Sequence, residues 1–186
     1  MSATVERRRF TVPEFGRLVE VGLFRADERL ELVEGEVVEM SPIGERHAAC
    51  VDLLTRSVSR MVGDSAIVRV QGPLAASDDS ELYPDVTLLK PRDDFYRSRK
   101  PTGADALLVV EVSDTTLAYD RDVKAPIYGR AGVPEFWLVD LGSRRIDVFS
   151  QPTAEGYRLR RTLLPGETLV LDGIAGLSIP VSDLVA

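Results

Sequence analysis

Hydrophobic positions along this chain switch between a period near 3.6 and a period of two, and each switch marks a new element. Thr11-Val12-Pro13-Glu14 reads as an N-cap with its capping-box glutamate, and Phe15, Leu18 and Val19 continue one helical face until Gly22. Alternation then predicts strands over 30–33 and 37–40, joined through Glu34-Gly35-Glu36 as an N-terminal hairpin. Ser41-Pro42-Ile43-Gly44 breaks the second strand and opens a helix over 45–62. Its stripe is Cys50, Leu53, Leu54, Val58 and Met61, and Gly63 is its stop.

Four strand-like stretches follow, over 66–70, 83–89, 106–112 and 135–140. A helix over 120–131 precedes the last of them, separated from it by Gly132 and Pro134. Segments 146–149 and 157–163 form a peripheral C-terminal β-hairpin, and the apolar tail 166–186 packs down as edge structure. The order α-β-β-α-β-β-β-α-β predicts an α/β fold, a mixed β-sheet flanked by helices. At 186 residues the size prior gives one domain over 1–186.

Composition narrows the class. With 44% hydrophobic residues the chain can build a full core. No apolar run approaches the roughly 18–20 residues that a membrane span needs. The polar, arginine-bearing start has no signal-type segment, so no membrane partner is expected and the expected compartment is the cytoplasm. Cys50 is the single cysteine, which excludes intrachain disulfides and thiolate metal clusters and leaves a buried, inert thiol. A net charge of −7 argues against an extended nucleic-acid coat but not against a nuclease, which needs only local phosphate contacts.

Two carboxylates interrupt otherwise apolar strands: Asp85 in Tyr83-Pro84-Asp85-Val86 and Glu111 in Val109-Val110-Glu111-Val112. An ionised carboxylate there is expensive unless a cation meets it. Antiparallel pairing of the two strands would set Asp85 beside Glu111 at one end of the sheet. Hard oxygen donors favour Mg2+ or Mn2+ over zinc. Lys124 follows shortly after, in Asp120-Arg121-Asp122-Val123-Lys124, so the set suggests phosphodiester hydrolysis. The plain alternatives are an Asp85 that opens an exposed edge strand and a Lys124 that is a solvated helix charge.

These residues, in order, resemble the PD-(D/E)xK nuclease superfamily, and more narrowly its Uma-type restriction-endonuclease-like family. Glu34-Gly35-Glu36, Met40-Ser41-Pro42, His47 and Ala131-Gly132-Val133-Pro134-Glu135-Phe136-Trp137 match the same pattern, over roughly 10–149. The resemblance implies a restriction-endonuclease-like fold and a metal-dependent DNA endonuclease. It makes Asp85 and Glu111 the metal ligands, adds the Val112 carbonyl as a third oxygen, and makes Lys124 the catalytic lysine, because Ser113 stands where the superfamily keeps its own. His47 and Glu36 are further candidates for the cleft, and Asp120 is a candidate ligand or the cap of the helix carrying Lys124. Arg97, Arg99 and Lys100, in the loop between the two catalytic strands, are candidates for phosphate contacts, with Tyr96 for stacking. Arg144, Arg145, Arg158, Arg160 and Arg161 form a second basic stripe. Cutting both strands of a duplex implies a symmetric homodimer, with Leu169, Val170, Leu171 and Ile174 as candidate contacts. The competing class is a catalytically inactive nuclease-fold protein serving as an interaction or DNA-binding partner. A nucleotide-binding domain lacks its glycine-rich loop.

Overall fold

A computed structural model describes residues 7–185 except 26, 172, 173 and 175. Helix α1 (Val12–Glu20) begins with the full capping box: Glu14 N–H donates to the Thr11 hydroxyl, and the Glu14 carboxylate accepts from Thr11 N–H. Strands β1 (Leu30–Val33) and β2 (Glu36–Glu39) form the hairpin. Gly35 turns it at φ +80°, in the left-handed region, where a Cβ would fall 2.5 Å from Arg9 Cβ. Helix α2 spans Glu45–Val62, the predicted range.

After β3 (Ile67–Val70) come two strands that the sequence pattern does not announce, β4 (Leu74–Ser77) and β5 (Ser80–Leu82). They join the hairpin in a four-stranded sheet of order β2-β1-β5-β4. Strands β6 (Val86–Leu89), β7 (Ala106–Ser113), β8 (Glu135–Asp140), β9 (Arg145–Thr153) and β10 (Gly156–Leu163) complete a six-stranded sheet of order β10-β9-β8-β7-β6-β3. Only β7 and β8 pair in parallel, so the sheet is mixed, as expected. Their crossover is a helical run of α3 (Leu117–Tyr119), a π turn (Asp120–Lys124) and α4 (Ala125–Arg130). Pro126 has no N–H to continue an α ladder, and the wider π turn precedes it, with Ala125 N–H bonded to the Asp120 carbonyl five residues back.

The six-stranded sheet is buried on both faces. On one, α2 sets Leu54 and Val58 against Val86, Leu108, Val110 and Trp137. On the other, Val109, Leu138, Tyr128 and Phe136 pack with Leu74 and Leu82 of the four-stranded sheet. Alternation along β7 therefore sends Leu108, Val110 and Val112 to the α2 side and Val109 and Glu111 to the other. The C-terminal hairpin is not peripheral: β9 and β10 extend this sheet, because Ile146 and Val148 are apolar enough to be buried with it.

The tail is likewise core. Strands β11 (Thr168–Val170) and β12 (Ser178–Pro180) and helix α5 (Val181–Leu184) pack Leu169, Ile179 and Leu184 against α2 and the sheet. Leu169, Leu171 and Ile174 are buried within the chain's own core, so they offer no contact to a second copy, and of the four candidates Val170 alone is exposed. Among the described residues no helix is long and apolar enough to cross a membrane.

Candidate active site

Antiparallel pairing of β6 with β7 sets Val86 opposite Val110, so the same register carries Asp85 to Glu111. Because β6 lies between β3 and β7, Asp85 opens an inner strand, not an exposed edge, and only 4% of its surface remains accessible. Its Oδ2 accepts from Val112 N–H at 2.9 Å and lies 2.9 Å from His47 Nε2; its Oδ1 accepts from Gln71 Nε2 at 3.3 Å. His47 thus reaches the site from the first turns of α2. Its Nδ1 is buried without a partner among the described residues.

Lys124 turns inward. Its Nζ donates to Glu111 Oε1 at 3.1 Å and to Glu31 Oε1 at 3.0 Å, and stands 4.0 Å from Asp120 Oδ1. The reading of Lys124 as a solvated charge fails on this contact, because the side chain is buried. Burial alone works against its charge, but the Glu111, Glu31 and Asp120 carboxylates outweigh that, and the ammonium titrates above the ordinary lysine range. Glu111 also accepts from the Tyr128 hydroxyl at 2.6 Å. Burial pushes the Glu111 pKa well up; Lys124 pulls it back, and Asp85, Asp120 and Glu31 push it up again.

Glu31 is the residue the sequence reading misses. It sits on β1 at 1% exposure, accepting from Lys124 and from Tyr83 N–H at 2.8 Å. Its signal was present: Leu30-Glu31-Leu32-Val33 interrupts an apolar strand just as Val110-Glu111-Val112 does. Asp120 is not a helix cap, because helical structure already starts at Leu117. It lies inside the run and accepts from the Thr116 hydroxyl at 2.5 Å, and burial raises its pKa. Ser113 is buried at the end of β7, its Oγ 3.4 Å from the Thr116 hydroxyl.

Other candidates lie elsewhere. Glu36 is exposed on the hairpin beside Arg7 and Arg9. The loop 90–105 joins the far ends of β6 and β7, opposite the carboxylates, so Arg97, Arg99 and Lys100 are not brought to them. Arg99 is held by Asp105 at 2.6 and 2.8 Å, and Lys100 by the buried Glu81 at 2.6 Å. Tyr96 is buried under Arg69, Arg92 and Arg99 with its hydroxyl donating to the Lys90 carbonyl, so it offers no free stacking face. Of the second stripe, Arg145 and Arg160 are paired with Asp140 and Asp147. Cys50 is buried as expected, and burial followed by the Asp85 charge raises its thiol pKa to about 12.

The converging groups form the floor of a cleft of about 370 Å³. The β1–β2 hairpin and the segment 40–44 wall it on one side, and Thr115, Thr116 and Tyr119 on the other. The Tyr119 hydroxyl is a second buried polar atom without a partner among the described residues. Those residues include no ready-made cage of three or more His, Cys, Asp or Glu groups. The donor chemistry nevertheless fits a hard cation of the Mg2+ type. Such an ion keeps several waters and needs only one or two carboxylates, and here three buried carboxylates surround one lysine with Asp85 on the adjacent strand.

A solved structure described as a putative nuclease belonging to DUF820, from Anabaena variabilis, shares this fold with a TM-score of 0.73. It is 15% identical and covers 95% of this chain and 97% of its own. No functionally curated protein matches the chain. The sequence pattern of the Uma2 family, described as "Putative restriction endonuclease", matches residues 12–182, nearly the whole length. The chain belongs to the Uma2 family.

Proposed function

We propose that this protein is a divalent-metal-dependent nuclease that hydrolyses phosphodiester bonds of DNA at the floor of this cleft. One observation carries the reading: the buried Lys124 ammonium lies 3.1 Å from Glu111, on the strand beside Asp85. A buried salt bridge adds little to stability, so two carboxylates, a lysine and an open cleft together are better explained by chemistry than by folding.

Asp85, Glu111 and the Val112 carbonyl would hold Mg2+ or Mn2+, which supplies Lewis acidity and a more acidic bound water. Lys124 sits where an ammonium can stabilise charge that develops on a phosphoryl group. Glu31 accepts a second hydrogen bond from that ammonium, and Tyr128 orients the Glu111 carboxylate. His47 holds Asp85 Oδ2. The carboxylates position the cation and act as no general base.

The reading over an inactive nuclease-fold partner rests on Lys124 facing the carboxylates. The test is cleavage of labelled DNA in millimolar Mn2+ by wild type, Glu111→Gln and Lys124→Met. Wild type cuts, Glu111→Gln loses activity below detection, and Lys124→Met falls at least about 100-fold, the loss seen when one preorganised electrostatic group is removed. Equal rates in all three would assign the cleavage to a contaminant and leave the inactive partner as the reading.

A further inference from the structure

The cleft has a shape and a lining that a double helix does not suit. Its functional groups are deep: Asp85, Glu111, Glu31 and Lys124 are each at most 4% exposed. At about 370 Å³ the space lies at the small end of the roughly 300–1,000 Å³ typical of small-ligand pockets. That accommodates about one nucleotide unit within the cleft. A phosphate locked in a rigid duplex reaches such a floor only if the walls stand far apart.

Charge points the same way. Around the cleft Glu31, Glu39, Asp85, Glu111, Asp114 and Asp120 outnumber Arg29 and Lys124. An acidic lining repels both polyanions, but it repels a duplex more than a single strand, whose charge density is lower. The basic loop 90–105 lies at the other end of the sheet with Arg99 and Lys100 tied to Asp105 and Glu81, and beside the cleft Arg46 is tied to Asp114. Beside these charges the lining carries an apolar stretch. Val38, Met40, Pro42 and Ile43 form one wall, and Ile43 keeps 42% of its surface exposed with nothing packed over it. An unpaired base has a bare face that gains from such a surface, whereas a stacked, paired base does not present one.

We infer that the cleft takes a single, unpaired DNA strand, with one base against the Met40–Ile43 wall while its phosphate reaches Asp85 and Glu111. This rests on the nuclease reading and narrows its substrate class. One site then acts on one strand, and a symmetric dimer is not required for the reaction.

Two readouts on the full chain test it. Binding is followed by fluorescence anisotropy with Glu111→Gln and labelled oligonucleotides: a single strand, a blunt duplex of the same sequence, and a fork with unpaired arms. Cleavage of the same three is followed with wild type in Mn2+. The single strand should bind at least about tenfold more tightly than the blunt duplex, the fork should be cut only in its arms, and Ile43→Ala in the Glu111→Gln background should weaken single-strand binding about tenfold. Equal or tighter binding of the blunt duplex, or cuts within its paired region at the single-strand rate, overturns the inference and leaves a nuclease. Strand-selective binding with no cleavage of any substrate supports the strand preference and refutes the nuclease instead.

Discussion

At the scale of single residues, Glu111 has the most to reveal. Its buried carboxyl holds a proton more tightly in the folded chain than an ordinary glutamate does. Above the usual carboxylate range the unfolded chain has released a proton that the native state still keeps. The contribution of Glu111 to stability must then fall as pH rises from near 4.5 toward its raised native pKa. Glu111→Gln removes that term. In the absence of metal it should flatten the decline, so that the melting temperature of the variant gains on that of wild type as pH rises. Thermal melts of both proteins from pH 4 to 8 check this, and a difference between them that does not change across that window contradicts it. The same residue was legible in the sequence, because a carboxylate inside Val-Val-Glu-Val has no cheap structural explanation. Glu31 carries a similar signature, but its partner Lys124 lies 93 positions later, so nothing local marks it as part of the same site.

At the scale of elements, legibility follows locality. Helix α2, the capped α1 and strand β8 are readable because their signals, a stripe, a cap and an apolar run between breakers, lie within the element itself. Strands β4 and β5 are not, since they are three or four residues long and exist through pairing with each other and, for β5, of Glu81 with Leu32 in β1, far upstream. The crossover is half readable. Lys124 is readable as the candidate lysine, but its inward direction and the π turn that precedes Pro126 are not. That helical run docks on the C-terminal hairpin through Gly129, where a Cβ would fall 2.3 Å from the Gly156 backbone. Gly129→Ala must push α4 off the hairpin, at a cost of about 1–3 kcal/mol for overpacking. Because α4 continues directly from the Lys124 turn, kcat should fall together with the melting temperature. A variant with wild-type kcat and unchanged melting would show that this close approach does not position the lysine.

At the scale of the whole molecule, the four-stranded sheet lies over the six-stranded one and brings Glu31 to a lysine 93 positions later in the chain. No local pattern encodes that meeting. The C-terminal tail finishes the core on the opposite face, so the two halves of the structure hold the cleft floor between them. The central claim is that this floor is a cation site and not a static network of buried ion pairs. Melting of wild type and Asp85→Asn across a titration of Mn2+ tests it most directly. A cation bound only by the native state stabilises it by RT ln(1 + [L]/Kd), about 2.7 kcal/mol at a hundredfold excess over Kd. The wild-type melting temperature should climb with Mn2+ while that of Asp85→Asn stays flat. A wild type indifferent to Mn2+ at every concentration, or an Asp85→Asn protein that responds equally, would contradict the account.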